Sequence, residues 1–263
     1  MNALFIAGFH RSGTSAVARS FHLGGLFLGD ELLGSEPSNP YGHFEDKAVI
    51  DIHQELLEVN RTDWKSHRAF DPIVPDSSWE AMRSLVEART ALGRPWGFKD
   101  PRVCLFLPLW LHLVPDARIF LVFRTPAETI RSLHMRHSRQ LIEGKGRPET
   151  HLEFWQIPNL GARMWLHYHE TLLRTLPDED RVHAVHFGDR VAISRAVTAV
   201  NQRWDMGLTE RGDDALDPEL GAQDVDPIRV TDPQLVEGIE AMWSRLHRLA
   251  ERSAERLATA GSQ

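Results

Sequence analysis

The first stretch whose residue types and spacing could do chemistry is Gly8-Phe9-His10-Arg11-Ser12-Gly13-Thr14-Ser15. An apolar run, residues 3–7, leads into it, and a helical pattern leaves it at Thr14. A glycine-rich turn between a strand and a helix aims several backbone N–H groups at one point, and the helix N-terminus adds partial positive charge. Such a turn holds a small oxyanion. The spacing approaches the nucleotide-binding pattern G-x-x-x-x-G-K-[ST], with one departure. Thr14 stands where that pattern has its lysine, and the cation has moved into the loop as Arg11. A nucleoside-triphosphate hydrolase uses the lysine to bridge two phosphates and the next hydroxyl to hold magnesium. Without it, a short phosphate or phosphosulfate is the better fit.

With Arg11-Ser12-Gly13-Thr14-Ser15 in place, the chain resembles the PAPS-dependent sulfotransferases, whose 5′-phosphosulfate loop reads [KR]-[SAG]-G-T-[ST] after the first strand. PAPS is 3′-phosphoadenosine 5′-phosphosulfate. The resemblance implies PAPS as co-substrate and adenosine 3′,5′-bisphosphate (PAP) as product, with His10, Arg11, Ser12, Gly13, Thr14 and Ser15 at the donor. It also implies a 3′-phosphate site made by an arginine that ends a strand and a serine eight residues on. Arg124 and Ser132 stand at that spacing. A guanidinium is a forked donor suited to phosphate oxygens. Lys99 opens Lys99-Asp100-Pro101-Arg102, which resembles the K-[SDT]-P segment near the sulfuryl group, and so joins Arg11 as a catalytic cation. The stretch Asn39-Pro40-Tyr41-Gly42-His43-Phe44-Glu45-Asp46 resembles the N-x-x-G-[HYF]-[FW]-E segment of bacterial members and, loosely, the base-bearing strip of the heparan-type enzymes. Glu45 is the first candidate for the general base, since aromatic neighbours could raise its pKa. His43 is the second, because an ordinary histidine titrates in the useful range. Acidic residues also favour a first helical turn, so Glu45 and Asp46 have a capping role as the plain alternative.

Arg131 and Arg136 are read as solvated side chains that could add positive field. Arg229 is a candidate to close over the nucleotide. The C-terminal R-K-G-x-x-G segment of cytosolic members is not found, which points to the bacterial or carbohydrate-type branches. The remaining histidines, His53 among them, show no metal-binding register, so no metal is assigned or required. Cys104 lies on an apolar helix and reads as core. Trp64, Trp96, Trp110, Trp155 and Trp165 could wall an acceptor pocket, though large aromatics are core material first. Two other readings share the loop: a P-loop kinase or related phosphotransferase, and a nucleotide-binding scaffold without chemistry. A kinase should end a hydrophobic strand in a magnesium carboxylate, and the clearest strand here, residues 118–123, runs into Arg124.

The elements that must position these residues alternate. Strands are expected at 3–7, 96–98, 118–123 and 183–187. Helices are expected at 14–24, 46–59, 77–92, 103–114 (with Pro108 as a kink or restart), 126–139, 160–176, 192–204 and 234–257. Loops are expected at 30–42, 143–148 and 207–232. Alternation of this kind gives an α/β fold with a P-loop-like, mostly parallel sheet and helices on both faces.

The chain has 263 residues with 42% hydrophobic content and no linker-like tract, which suits one domain over 1–263. Its net charge of −7 argues against a general binder of nucleic acid or anionic membrane, while leaving room for a local basic pocket. One cysteine allows no internal disulfide, and the N-terminal apolar run is too short for a signal peptide or a span. The expectation is a cytoplasmic enzyme without stable membrane insertion that sulfates a hydroxyl or amine on a small-molecule, carbohydrate or lipid acceptor.

Overall fold

The computed structural model describes residues 2–34, 42–210 and 230–260. Its centre is one parallel sheet of β1 (Ala3–Ala7), β2 (Trp96–Lys99), β3 (Arg118–Phe123) and β4 (Val182–His186), in the order β2-β1-β3-β4. The register pairs Ile6 with Lys99 and Phe120, so the C-terminal ends of β1, β2 and β3 lie side by side.

Side chains alternate across the sheet, as strand geometry requires. Phe5, Phe98, Leu121 and Phe123 enter one apolar core with Trp110, Trp165 and Tyr168. That core is covered by α2 (Lys47–Val59), α3 (Asp76–Ala91), α4 (Val103–Leu113), α7 (Leu160–Thr175) and α10 (Pro233–Ala260). Leu4, Ile6, Phe120 and Val122 face a second core, covered by α1 (Thr14–Leu23), α8 (Arg190–Ser194) and α9 (Ala196–Trp204). The two interiors show why the strands read as nearly continuous apolar runs: both faces are buried. β4 receives a side-chain partner from α10, where the Ser253 hydroxyl accepts from the Ala184 amide at 3.0 Å.

Several expected elements differ in detail. Residues 192–204 form two helices, with Arg195 between them in a non-helical conformation. Pro148 opens a helix, α6 (Pro148–Gln156), that the loop expected at 143–148 hides, because proline suits a first helical turn. The helix over α4 continues through Pro108. α5 (Pro126–Ile142) starts on Thr125, whose hydroxyl accepts from the Glu128 amide. Asp46 precedes α2 but its side chain makes no cap. It is buried instead and paired with Arg89 of α3, whose Nη1 also donates to the Gly97 carbonyl at 2.9 Å. The expected loop at 30–42 is described only at its ends, and most of 207–232, with Arg229, lies outside the described residues.

Trp96, Trp110 and Trp165 are core residues, whereas Trp155 is largely exposed. Cys104 is buried, and burial pushes its thiol up to about 12, so it stays protonated and inert. No helix among the described residues is long and apolar enough to cross a membrane.

Four buried histidines give the fold a definite response to acid. Burial alone lowers His169 to about 4, and burial with neighbouring basic groups lowers His167 and His183 to about 4 and His137 to about 3. Below the ordinary histidine value the unfolded chain binds these protons and the folded chain does not, so stability is complete above pH 6.5 and falls as the pH drops toward 4. At pH 5.5 each contributes a loss of roughly 1 kcal/mol. The melting temperature should therefore fall by about 10 °C between pH 7.5 and 5.5. Calorimetry checks this, and a flat profile over that range contradicts it.

Candidate active site

One cleft opens at the C-terminal edge of β1, β2 and β3. His10, Arg11, His43, Glu45, Lys99 and Arg124 line it. The loop after β1 also contributes Gly13, Thr14 and Ser15. Within that loop Arg11 has φ 65° and Gly13 φ 90°, so two left-handed residues turn the chain sharply into α1. A non-glycine residue in this region costs on the order of 1 kcal/mol, and such strain gathers at ligand sites. At Gly13 a side chain is excluded for a second reason: a Cβ would lie 2.1 Å from the Phe187 ring. No side chain caps α1, which leaves its first amides for an anion.

The positive side chains come from three elements. Arg11 donates through Nε to the Ser132 hydroxyl of α5 at 2.9 Å, which ties the loop to the helix. Arg124 lies just past β3, paired with Glu128 at 3.1 Å and over the Phe187 ring. Glu128 is itself held by the Thr125 hydroxyl at 2.5 Å. Arg136 also lines the cleft. It is the residue that sequence reasoning set aside as solvated. The signal was there, since Arg136 follows Ser132 by four residues and so shares its helix face. Burial, then Arg136, Arg124 and Arg139, lower the Arg11 guanidinium to about 10. The loop cation thus sits among like charges, a field that an anion would relieve.

His10 is packed edge-on against Phe9, Trp64 and Tyr168. Burial lowers its pKa to about 3; Asp100 opposes this, while Arg102, Arg136 and Lys99 add to it, so the ring is neutral. Ser12 and Ser132 do not line the cleft directly. Ser12 is wholly buried, and Ser132 meets it through Arg11.

The acid side of the cleft is built by a separate device. Residues on either side of 35–41 pair with each other. Leu33 N donates to Glu45 O at 2.8 Å, His43 N to Leu33 O at 3.2 Å, and Lys47 N to Glu31 O at 3.0 Å. This short ladder presents His43 and Glu45 to the cleft. The Glu45 carboxylate accepts from the Lys99 ammonium at 2.5 Å, and Lys99 is 2% exposed. Glu45 therefore neither caps a helix nor stands among aromatics alone; its partner is a cation. Asn39, Pro40 and Tyr41 lie outside the described residues.

Beneath Lys99 runs a buried polar chain that the sequence did not disclose. Asp100 is fully buried, and its Oδ1 accepts from Arg102 N and Nε at 2.8 Å each, its Oδ2 from Arg102 Nη2 at 2.5 Å. His53 Nδ1 of α2 lies 3.6 Å from the same Oδ2. Trp110 donates to His53 Nε2 at 2.9 Å, so a neutral His53 carries its proton on Nδ1, toward Asp100. Burial would raise Asp100, but Arg102 and His53 outweigh it and hold the carboxyl well below the usual range. His53 is a fully buried member of this chain.

Residues 3–199 match the model of the sulfotransferase family. The chain belongs to the sulfotransferase family. A search of curated proteins finds no match. Among solved structures, the sulfotransferase is similar to the sulfotransferase domain of the Synechococcus PCC 7002 olefin synthase, with a TM-score of 0.53 and 18% identity, covering 91% of this chain and 94% of that one. A sulfotransferase from Alicyclobacillus acidocaldarius matches with a TM-score of 0.42 at 16% identity, covering 95% of this chain and 94% of that one. STF1 from Mycobacterium tuberculosis H37Rv matches with a TM-score of 0.43 at 15% identity, covering 97% of this chain and 76% of that one. The first of these likenesses supports the fold, and none of them assigns a residue.

The buried Asp100 pair yields a stability test. Asp100→Ala leaves the Arg102 charge without its partner, and breaking a buried pair costs about 3 kcal/mol or more. Urea unfolding should show this as a large drop in midpoint. Asp51→Ala, which removes the exposed Lys47–Asp51 pair, should leave the midpoint unchanged.

Proposed function

We propose that this sulfotransferase transfers the sulfuryl group of PAPS to a hydroxyl or amine of a small-molecule, carbohydrate or lipid acceptor. The observation that carries this reading is the convergence of Arg11, Arg124 and Arg136 with the Lys99–Glu45 pair on one cleft. Three arginines from separate elements suit a ligand with charge at two separated positions, and PAPS carries a 5′-phosphosulfate and a 3′-phosphate.

In this reading the amides of residues 13–15 and Arg11 hold the 5′-phosphosulfate, and Arg124 with Arg136 holds the 3′-phosphate, with Ser132 joined to the site through its hydrogen bond with Arg11. Glu45 takes the proton of the acceptor hydroxyl as its oxygen bonds to sulfur. The bond from sulfur to the 5′-phosphate oxygen breaks, and its electron pair stays on that oxygen, where Arg11 offsets the charge. Lys99 offsets charge on the sulfuryl oxygens. The proton on Glu45 then passes to solvent. His43 lines the same cleft and is the alternative base. The cations of the protein suffice for these steps, so the mechanism calls for no metal ion.

Two experiments test the reading. Calorimetry should show PAP binding at least tenfold tighter than 5′-AMP, because a charge-assisted contact to the 3′-phosphate is worth about 1.5–3 kcal/mol. Equal affinities remove the PAPS assignment. Separately, Glu45→Gln should keep PAP affinity and lower kcat by roughly 10²-fold or more, with EDTA leaving wild-type turnover intact. If His43→Ala loses turnover while Glu45→Gln retains it, His43 is the base.

A further inference from the structure

Two groups with opposed tasks are bonded to each other in this cleft. Glu45 must offer a lone pair to the acceptor's proton, yet its Oε1 accepts from the Lys99 ammonium at 2.5 Å. Lys99 must face the sulfuryl group, yet its charge is spent on Glu45. Resting on the reading in the preceding subsection, we infer that Lys99 changes partner during the cycle, holding Glu45 when the donor is absent and the sulfuryl oxygens when it is bound, so that donor binding arms the base.

The parts around the pair differ in freedom, and the difference says which group moves. Glu45 is fixed at the backbone, where its carbonyl accepts from Leu33 at 2.8 Å, and Asp46 next to it is anchored by the buried pair with Arg89. Arg102 is also fixed, by three hydrogen bonds to buried Asp100. Lys99, buried at the end of β2, instead carries a point charge on a four-carbon stem with no fork geometry to satisfy, so its ammonium can change partner by side-chain rotation alone. Pro101 of the same turn lines the cleft beside it.

The charges set the direction of the exchange. Without donor, the Lys99 ammonium is paired with Glu45 among the described residues, while Arg11, Arg124 and Arg136 repel it from the phosphate side. A bound donor reverses that field, because its phosphates answer the arginines and its sulfuryl oxygens accept from Lys99. Glu45 is then released without becoming a bare buried charge, which would be costly. Arg102 remains nearby: burial works against its charge, and Asp100 with Glu45 more than restores it. The consequence is an ordered site, in which the free base exists only when there is a sulfuryl group to transfer.

Calorimetry without acceptor tests this, using PAP and a PAPS analogue with methylene in place of the scissile bridging oxygen. Only the analogue carries a sulfuryl group for Lys99. In Glu45→Gln the ammonium need not be pulled from a carboxylate, so analogue affinity should rise about fivefold while PAP affinity stays within twofold of wild type. In Lys99→Met the analogue should lose any advantage over PAP. The exchange is overturned if Glu45→Gln binds the analogue no more tightly than wild type does, or if Lys99→Met keeps the wild-type ratio of analogue to PAP affinity. An unchanged analogue affinity together with a 10²-fold loss of kcat in Glu45→Gln sinks the exchange alone and leaves Glu45 as base. A wild-type protein that binds neither ligand overturns the exchange and the PAPS reading together.

Discussion

Like-charge crowding at one edge of a small sheet is the constraint from which most of this structure follows. Arg11, Arg124 and Arg136 share a cleft with Lys99, and burial with that crowding holds Arg11 down to about 10. Such a cluster persists only if the surrounding chain over-determines it. The chain does so with paired acids: Glu128 on Arg124, Glu45 on Lys99, and buried Asp100 on Arg102. Each acid steadies one cation. The cleft between them stays open to an anion from solution.

The sheet order explains why the cations meet where they do. β1 and β3 are neighbours, and the chain leaves β1 into α1 on one face of the sheet and β3 into α5 on the other, so a crevice forms between their C-terminal ends. The loop after β1 sits at that point, Lys99 ends one neighbour and Arg124 follows the other. Three short runs of sequence, far apart in the chain, therefore need only end their strands correctly to place charges together. The Arg11–Ser132 bond then sets α5 against the loop, which brings Arg136 into the same field.

This local logic determines what could be read from sequence. Strands buried on both faces are legible as apolar runs, and 118–123 matches β3 residue for residue. The loop was legible because its glycines and Arg11 carry the turn. α6 was not, because Gly144, Gly146 and Pro148 dominate the composition just where proline starts a helix. The break at Arg195 has no glycine or proline to announce it. Long-range polar pairs were the larger gap. Asp46 with Arg89 and His53 with Asp100 join residues more than forty positions apart, and no spacing rule reaches that far. Arg136 was a different failure. Its spacing from Ser132 was visible, but an arginine on a helix is usually solvated, and only the packing of α5 on the loop turns it inward.

The two halves of the cleft rest on different supports, and that separation bears on how such a site can change. The anion side depends on sheet order and on backbone turns, in which Gly13 cannot accept a side chain without striking Phe187. The acid side depends on a two-sided ladder around residues 31–33 and 43–47, anchored to the sheet by Lys99 and to α3 through Asp46 and Arg89. The ladder hydrogen bonds are backbone to backbone, so they are indifferent to side-chain identity at Leu33 or His43. The coupling between the halves is concentrated in the Lys99–Glu45 contact. That contact is one hydrogen-bonded ion pair between a flexible ammonium and a carboxylate with a fixed backbone, and it is the place where charge brought to one half is felt in the other.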